Sequence, residues 1–399
     1  MSAKLQRNIK VVYALGFFHS FMIIIPVIVP FFVSKGLGLA EIFYLQTVYA
    51  ATIVILEAPS GYFADIFGRR TALLAGAVFH GLGYTYLNFA EDFAALILFE
   101  ILVGVAASLL SGADLAILYD TQKALDGDEV ALHSKSISHL GFTKSVAEGL
   151  GALLGGLLAL WSFDLMILVQ SVAAWACLLL SLLVVEPPYK NTTGNAVDMR
   201  IVTIIRHLLR SDPLLRRVFI ALPVYSLATF YAAWLVQPYW EANGVSLAMF
   251  GVLWFGQSLV VAIANRCGYL IERRFGAVHS LLLIGALPVV GHLGMAWFGS
   301  WIGIMVSALL FFGRGLNQVI LVNALNRRVP SEYRATANSL SSLVFRLGFI
   351  TTGPLVGFIA DSQGLPVAFN LLAVICAVVF VVVMLPLIQS VKHLQRASA

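Results

Sequence analysis

The chain is 399 residues long, 60% hydrophobic and 11% charged, with a formal net charge of +5 and a mean hydropathy of +0.91. Soluble domains carry charge at about one residue in four, so this composition excludes an ordinary soluble protein and puts the chain in a bilayer. Only helices or closed barrels satisfy their backbone in lipid, and the absence of strand-like alternation selects helices.

The apolar runs predict twelve membrane spans: 11–33, 41–63, 71–90, 93–117, 137–160, 165–185, 216–237, 247–270, 278–298, 302–325, 337–360 and 366–388. Each is about the 20 residues a helix needs to cross the hydrocarbon core. The first run is too long for a cleaved signal peptide and lacks a small-residue cleavage site, so it is read as helix one. Tyr239 and Trp240, at the end of the seventh run, read as an interfacial aromatic belt.

Charge in the loops indicates the sidedness. One set of turns holds Arg69, Arg70, Lys123, Lys135, Arg216, Arg217, Arg273, Arg274, Arg327, Arg328 and Arg334, and the termini add Lys4, Arg7, Lys10, Lys392 and Arg396, whereas the opposite set holds only Lys35. Lysine and arginine accumulate on the cytoplasmic side, so both termini are expected there, in a protein of the bacterial inner membrane. The basic pI of about 9.1 follows from this asymmetry and from anionic lipid at the inner surface, which makes nucleic acid an unneeded partner.

The longest polar connection separates six spans from six. It runs from Glu186 through Pro187-Pro188 to the amphipathic segment Met199–Arg210 and Asp212, dividing a bundle at 1–186 from a bundle at 216–399 across a linker at 187–215. The halves repeat. Gly61-Tyr62…Asp65…Gly68 aligns with Gly268-Tyr269…Glu272…Gly276, with one extra residue in the second copy, and Lys144…Gly151…Gly155 aligns with Arg346…Gly353-Pro354…Gly357. Two six-helix bundles are the simplest source of such a repeat.

The stretch from Gly61 through Asp65 and Gly68 to Arg69-Arg70 resembles the signature loop of the major facilitator superfamily, GxxxD-xxGRR/K between the second and third membrane helices. The resemblance covers essentially the whole chain. It implies an all-α membrane protein of twelve transmembrane helices in two pseudo-symmetric bundles, each of three-plus-three inverted repeats, with a substrate site at mid-membrane. It also implies a charge network among Asp65, Arg69 and Asp120 that favours the outward-facing state. The nearest flavour is the twelve-helix drug/proton antiporter, with two departures. Ala152 stands where the fifth-helix motif GPxxGG has its proline, and Glu100, four residues before Gly104, stands where helix four of those antiporters carries an arginine.

Ionisable residues within the bilayer cost about 2.5–3.5 kcal/mol each even on insertion scales, so they line cavities or pair. Glu57, Glu100, Glu148, Arg266, Arg314 and Arg346 qualify, with His19, His80 and His292 as weaker cases. The resemblance implies that helices two and eleven, and five and eight, face each other, and depth along them then allows Glu57 to meet Arg346 and, with a larger mismatch, Glu148 to meet Arg266 as gates that hold one state; Lys144, one turn from Glu148, is a local alternative partner. Locking of the packing in every state is the competing account. The gating set is Glu57, Gly61, Asp65, Gly68, Arg69, Asp120, Arg266, Arg346, Gly353 and Pro354.

The cavity set is His19, Glu100, Glu148, Tyr231, Trp234, Gln257, Arg314, Asn317 and Gln318. A guanidinium at mid-membrane keeps its proton, so Arg314 wants a carboxylate or phosphate, from Glu100 or Glu148 or from an anionic substrate. Glu148, Glu100 and then His19 are the proton-carrier candidates. No Walker loop, nucleophile arrangement or zinc spacing is present, and Cys177, Cys267 and Cys376 sit inside spans, which points to no enzyme, metal, cofactor or disulfide. The expected activity is secondary transport of a small organic solute by a monomer, led by proton-coupled efflux, with an importer of an organic anion, a lipid flippase and a non-transporting membrane sensor as alternatives.

Overall fold

The computed structural model describes residues 2–110, 112–126, 130–187, 197–330 and 333–397. The helices are α1 (Ser2–Ser20), α2 (Ile28–Ser34), α3 (Leu39–Phe67), α4 (Arg69–Leu87), α5 (Phe93–Leu110), α6 (Ala113–Asp126), α7 (Val130–Leu158), α8 (Phe163–Leu183), α9 (Val197–Arg210), α10 (Pro213–Ala242), α11 (Leu247–Trp297), α12 (Ser300–Arg328), α13 (Arg334–Gln363), α14 (Leu365–Val379) and α15 (Leu385–Ala397). A 3-10 turn at Ile25–Val27 joins α1 to α2, and a π-turn at Phe380–Met384 joins α14 to α15.

Nine helical stretches among the described residues are long and apolar enough to cross a membrane. One of them, α11, holds two spans in succession across Gly276, whose φ of 80° breaks the helix. The remaining two spans are α4 and α7, made too polar for recognition by composition by Arg69, Arg70 and His80 in one and by His139, Lys144 and Glu148 in the other. Twelve crossings result, in an all-helical fold. Large apolar side chains that face out are the lipid surface; Ile55 is 70% exposed and Val172 67%.

Two predicted spans are broken. The first unwinds after Ser20 because Pro26 and Pro30 remove backbone donors and clash with the preceding turn. Gln170 of α8 compensates, its Oε1 accepting from Ile23 N at 2.6 Å. The fourth breaks at Gly112, whose φ of 86° ends the path of α5 before α6 begins. The signature glycines share one conformation: Gly68 has φ 91°, ψ 149°, and Gly276 has φ 80°, ψ 164°, so the degenerate second copy keeps the turn. Gly364, between α13 and α14, repeats it with φ 89°, ψ 161°.

The chain divides into two compact units, residues 1–192 with 246–255 and residues 193–245 with 256–399. In the first, Val12, Leu15, Ala72, Leu73, Ile117, Leu118 and Leu140 form one core. Residues 246–255 join it because α7 accepts the start of α11 at backbone distance: a Cβ on Gly251 would stand 2.4 Å from the Ala152 carbonyl oxygen. In the second, α9 packs on α10 and α13, burying Ile204 and Leu208 beside Leu215, Val218, Leu281, Leu321 and Ile388. Tyr239 and Trp240 are buried at 5% and 0% and so form no interfacial belt. Tyr239 instead donates to the Phe298 carbonyl, and the exposed aromatics include Trp161, Trp297, Phe298 and Trp301.

Small residues let helices approach where lipid supplies no hydrophobic drive between them. At Gly155 a Cβ would lie 1.9 Å from the Ile23 carbonyl oxygen, against backbone that cannot rotate away. Gly155→Ala is therefore expected to destabilise the purified protein by about 1–3 kcal/mol through overpacking. Gly141→Ala, with nothing within 4 Å, is expected to gain about 0.5–1 kcal/mol. Thermal unfolding in detergent checks the pair, and equal melting temperatures would contradict the packing.

Candidate functional site

Three polar constellations stand inside these units. The first surrounds the break in the first span. His19 ends α1, its ring centroid 5.1 Å from that of His80 on α4, and His80 stacks edge-on against Tyr84 at 5.0 Å. Nearby, Lys144 of α7 donates to Asp114 of α6 at 2.6 Å. Lys144 reaches this position across Gly16, where a Cβ would stand 3.3 Å from its Cε. The acid that Lys144 pairs with is thus Asp114, not Glu148, which is exposed on α7. Glu100 is 3% exposed on α5 and accepts from Gln46 Nε2 at 2.8 Å.

The second constellation is a cavity of about 280 Å³ wholly within the second unit. Leu222, Pro223 and Phe230 of α10 and Val322 of α12 give it an apolar wall, completed by Phe345 of α13. Its polar groups are Arg314 and Gln318 of α12, Ser226 of α10, and Asn338, Ser341 and Ser342 of α13. The described lining carries one basic side chain and no acidic one. Gln318 also accepts from Asn265 Nδ2 at 3.4 Å.

Other expected cavity residues tie helices together. Asn317 is 1% exposed and donates to Ser226 Oγ at 2.9 Å, fastening α12 to α10. Tyr231 shares a hydrogen bond with Thr352 of α13 and stacks on Phe349. Gln257 of α11 donates to Ser307 Oγ of α12 at 3.1 Å. Trp234 packs edge-on against Phe230, with its indole Nε1 buried and without a hydrogen-bond partner among the described residues.

The third constellation is the signature loop. Arg69 forms an ion pair with Asp120 and donates to the Ala116 carbonyl at 3.0 Å, so α4 is held to α6. Another contact here was not foreseen from the motif. Glu186, beyond the end of α8, accepts from the Arg69 and Arg70 backbone N–H groups at 2.8 and 2.7 Å, capping the N-terminus of α4 where its unpaired donors and dipole favour an anion. The Gly68 turn brings the carboxylate that close: a Cβ there would meet it at 3.4 Å. Gly61 and Asp65 lie exposed on the last turns of α3.

The expected gate residues divide between the units. Glu57, half-buried on α3, and Glu148 belong to the first; Arg346, half-buried on α13, and Arg266, exposed on α11, belong to the second. Arg346 Nε is buried without a hydrogen-bond partner among the described residues. Gly353 packs beneath Phe349, a Cβ there falling 3.1 Å from its ring, and Pro354 lies inside α13. Asp114, His80 and Glu186 are the residues that sequence reasoning left out of its sets. Asp114 was legible as an acid inside an apolar run two residues after a glycine, and Glu186 as the last charge before a proline pair.

Known proteins agree with this architecture. Residues 11–345 match the profile described as Major Facilitator Superfamily. The MFS-type transporter YxaM of Bacillus subtilis is 24% identical over 362 residues, 88% of each chain. An MFS-type transporter of Methanocaldococcus jannaschii is 18% identical over 95% of this chain and 98% of its own. Among solved structures, a point mutant of the nucleoside transporter NupG superposes with a TM-score of 0.79 at 12% identity, covering 96% of this chain and 99% of that one. A D-xylose-proton symporter superposes at 0.69 and 16% identity over 96% and 97%. With the profile spanning most of its length and the twelve crossings in place, the chain belongs to the major facilitator superfamily of membrane transporters.

Proposed function

We propose that this protein is a secondary active transporter that carries a small organic anion across the membrane by alternating access, linked to proton movement. The observation that carries the reading is the Arg314 cavity. A guanidinium keeps its proton at any physiological pH and holds carboxylate or phosphate through paired N–H donors. Phe230 and Phe345 offer the organic body an apolar wall, and a volume of about 280 Å³ suits a small solute. An amphipathic cation, the cargo of a drug exporter, would meet a positive charge here, so the anion is favoured over a cationic efflux substrate.

The proton link is supported by the titratable groups set among apolar helices in the first unit, His19, His80, Asp114 and Lys144. The excess of lysine and arginine in one set of loops supports cytoplasmic termini. Symport would bring the anion in and antiport would drive it out.

Flux into proteoliposomes under an imposed pH gradient, screened over anionic, neutral and cationic organic solutes, tests the reading. Anions are expected to accumulate, and the polarity of the effective gradient gives the direction. Arg314→Ala should cut the initial rate about 10- to 100-fold, the size of a lost charge-assisted contact, and Arg314→Lys should restore part of it. Accumulation of cations, or a rate indifferent to Arg314→Ala, would sink the anion.

The signature loop supplies a second expectation. The Arg69–Asp120 ion pair is partly buried, and a differential energy of about 1 kcal/mol between states means that Asp120→Asn should lower the maximal rate roughly fivefold and leave the concentration dependence unchanged. A raised half-saturation concentration at an unaltered maximal rate would instead put Asp120 at the substrate.

A further inference from the structure

Two broken helices meet in the first unit, and the titratable side chains gather where they meet. His19 occupies the last turn of α1, next to the unwound residues 21–24. Asp114 occupies the first turn of α6, just after the Gly112 break. Interrupted membrane helices place their termini, with partial charges, at ion sites. The negative end of α1 favours a cation at His19, and the positive end of α6 favours an anion at Asp114.

The imidazoles are incompletely used. His19 Nδ1 and His80 Nε2 are both buried with no hydrogen-bond partner among the described residues, while the rings stand 5.1 Å apart at 52°. A neutral imidazole has one N–H and one lone pair, so a single added proton can bridge two such rings and satisfy a buried nitrogen on each. Two lone histidines used only for packing would not leave polar nitrogens orphaned at this separation, since such atoms are costly inside a bundle.

The surroundings make the charge of the pair conditional. Tyr84 of α4 stacks on His80, Asp114 of α6 and Lys144 of α7 act on His19, and Gln170 of α8 holds the adjoining Ile23 N–H. Tyr49, Glu100 and Cys177 act in turn on Tyr84. Asp114 is committed to Lys144, so the nearest acid is neutralised and the imidazoles sit in a balanced field. An arriving proton competes with Lys144 for the Asp114 carboxylate. That gives the cluster two arrangements, Asp114 on Lys144 or Asp114 on an imidazolium, and a two-state element of this kind is what a proton gradient can bias.

We propose that His19 and His80, at the break of the first span beside the Asp114–Lys144 ion pair, form the proton-binding site of this transporter. The site takes one proton from hydronium on the side to which it is open and returns it to water on the other. The assignment rests on the proton-linked reading of transport given above.

The test is nitrogen-15 NMR of the full-length protein in lipid nanodiscs, labelled at histidine and titrated from about pH 5 to about pH 9. The exposed His139 and His279 serve as internal references. His19 and His80 are expected to titrate as a coupled pair, and His19→Gln should move the His80 midpoint by roughly one pH unit or more. Lys144→Gln, which removes the competing cation, should raise the midpoint of the pair by about one unit, and Asp114→Asn should lower it by a similar amount. Unchanged reference signals show that a variant is folded, and either charge variant alone decides the sign. Two imidazoles that stay silent across the range, or charge variants that move the midpoint the same way, would overturn the site. A titrating pair beside a flux indifferent to the pH gradient overturns the transport reading and leaves the site standing; a silent pair beside gradient-driven flux does the reverse.

Discussion

Lipid offers no hydrogen bonds, so every peptide group in a crossing must find its partner inside the protein. Most of the crossings meet this requirement with unbroken helix; the first and fourth do not, and His19, Asp114 and Lys144 gather at those two exceptions. Unwinding near Pro26 frees the Ile23 N–H, and Gln170 is spent on it. The same unwinding lets α7 come within contact distance at Gly151 and Gly155, which draws Lys144, two turns earlier on that helix, across Gly16 toward Asp114. The break in the first span thus stands beside a packing contact, an amide partner and an ion pair.

The two units repeat a fold without repeating a chemistry. Both turn a signature glycine into the same positive-φ corner, at Gly68 and Gly276. Among the described residues, the first hangs a carboxylate cap and an arginine ion pair on it, through Glu186 and Asp120. The first unit gathers two imidazoles and an Asp114–Lys144 ion pair, whereas the second sets a guanidinium in a cavity with two phenyl rings. On the proposed reading the labour is divided, with the proton handled in one unit and an anion in the other. Helix interfaces in the second unit include neutral hydrogen bonds, Asn317 to Ser226 and Gln257 to Ser307.

The crossings were legible in the sequence because hydropathy reports what lipid demands of a whole segment, and the repeat was legible because Gly68 and Gly276 need a backbone that other residues resist. The breaks were not, since Pro26 and Gly112 sit within runs whose average remains strongly apolar. Site residues were read with less success for a related reason. Glu100, Asn317 and Gln257 are polar in apolar runs like Arg314, but only three-dimensional placement separates a helix fastener from a cavity wall. His80 looked like a lone histidine until α4 set it against His19. Tyr239 and Trp240 lie at a helix end, as belt residues do, yet they are buried by α12 and α14.

Coupling between an anion and a proton is the central claim, and the lumenal pH of proteoliposomes reports it most directly. With an organic anion gradient as the sole driving force and a pH-sensitive dye enclosed, the account predicts that anion flow through the protein moves protons and shifts the dye signal. Anion crossing at full rate with the lumenal pH unchanged would contradict it.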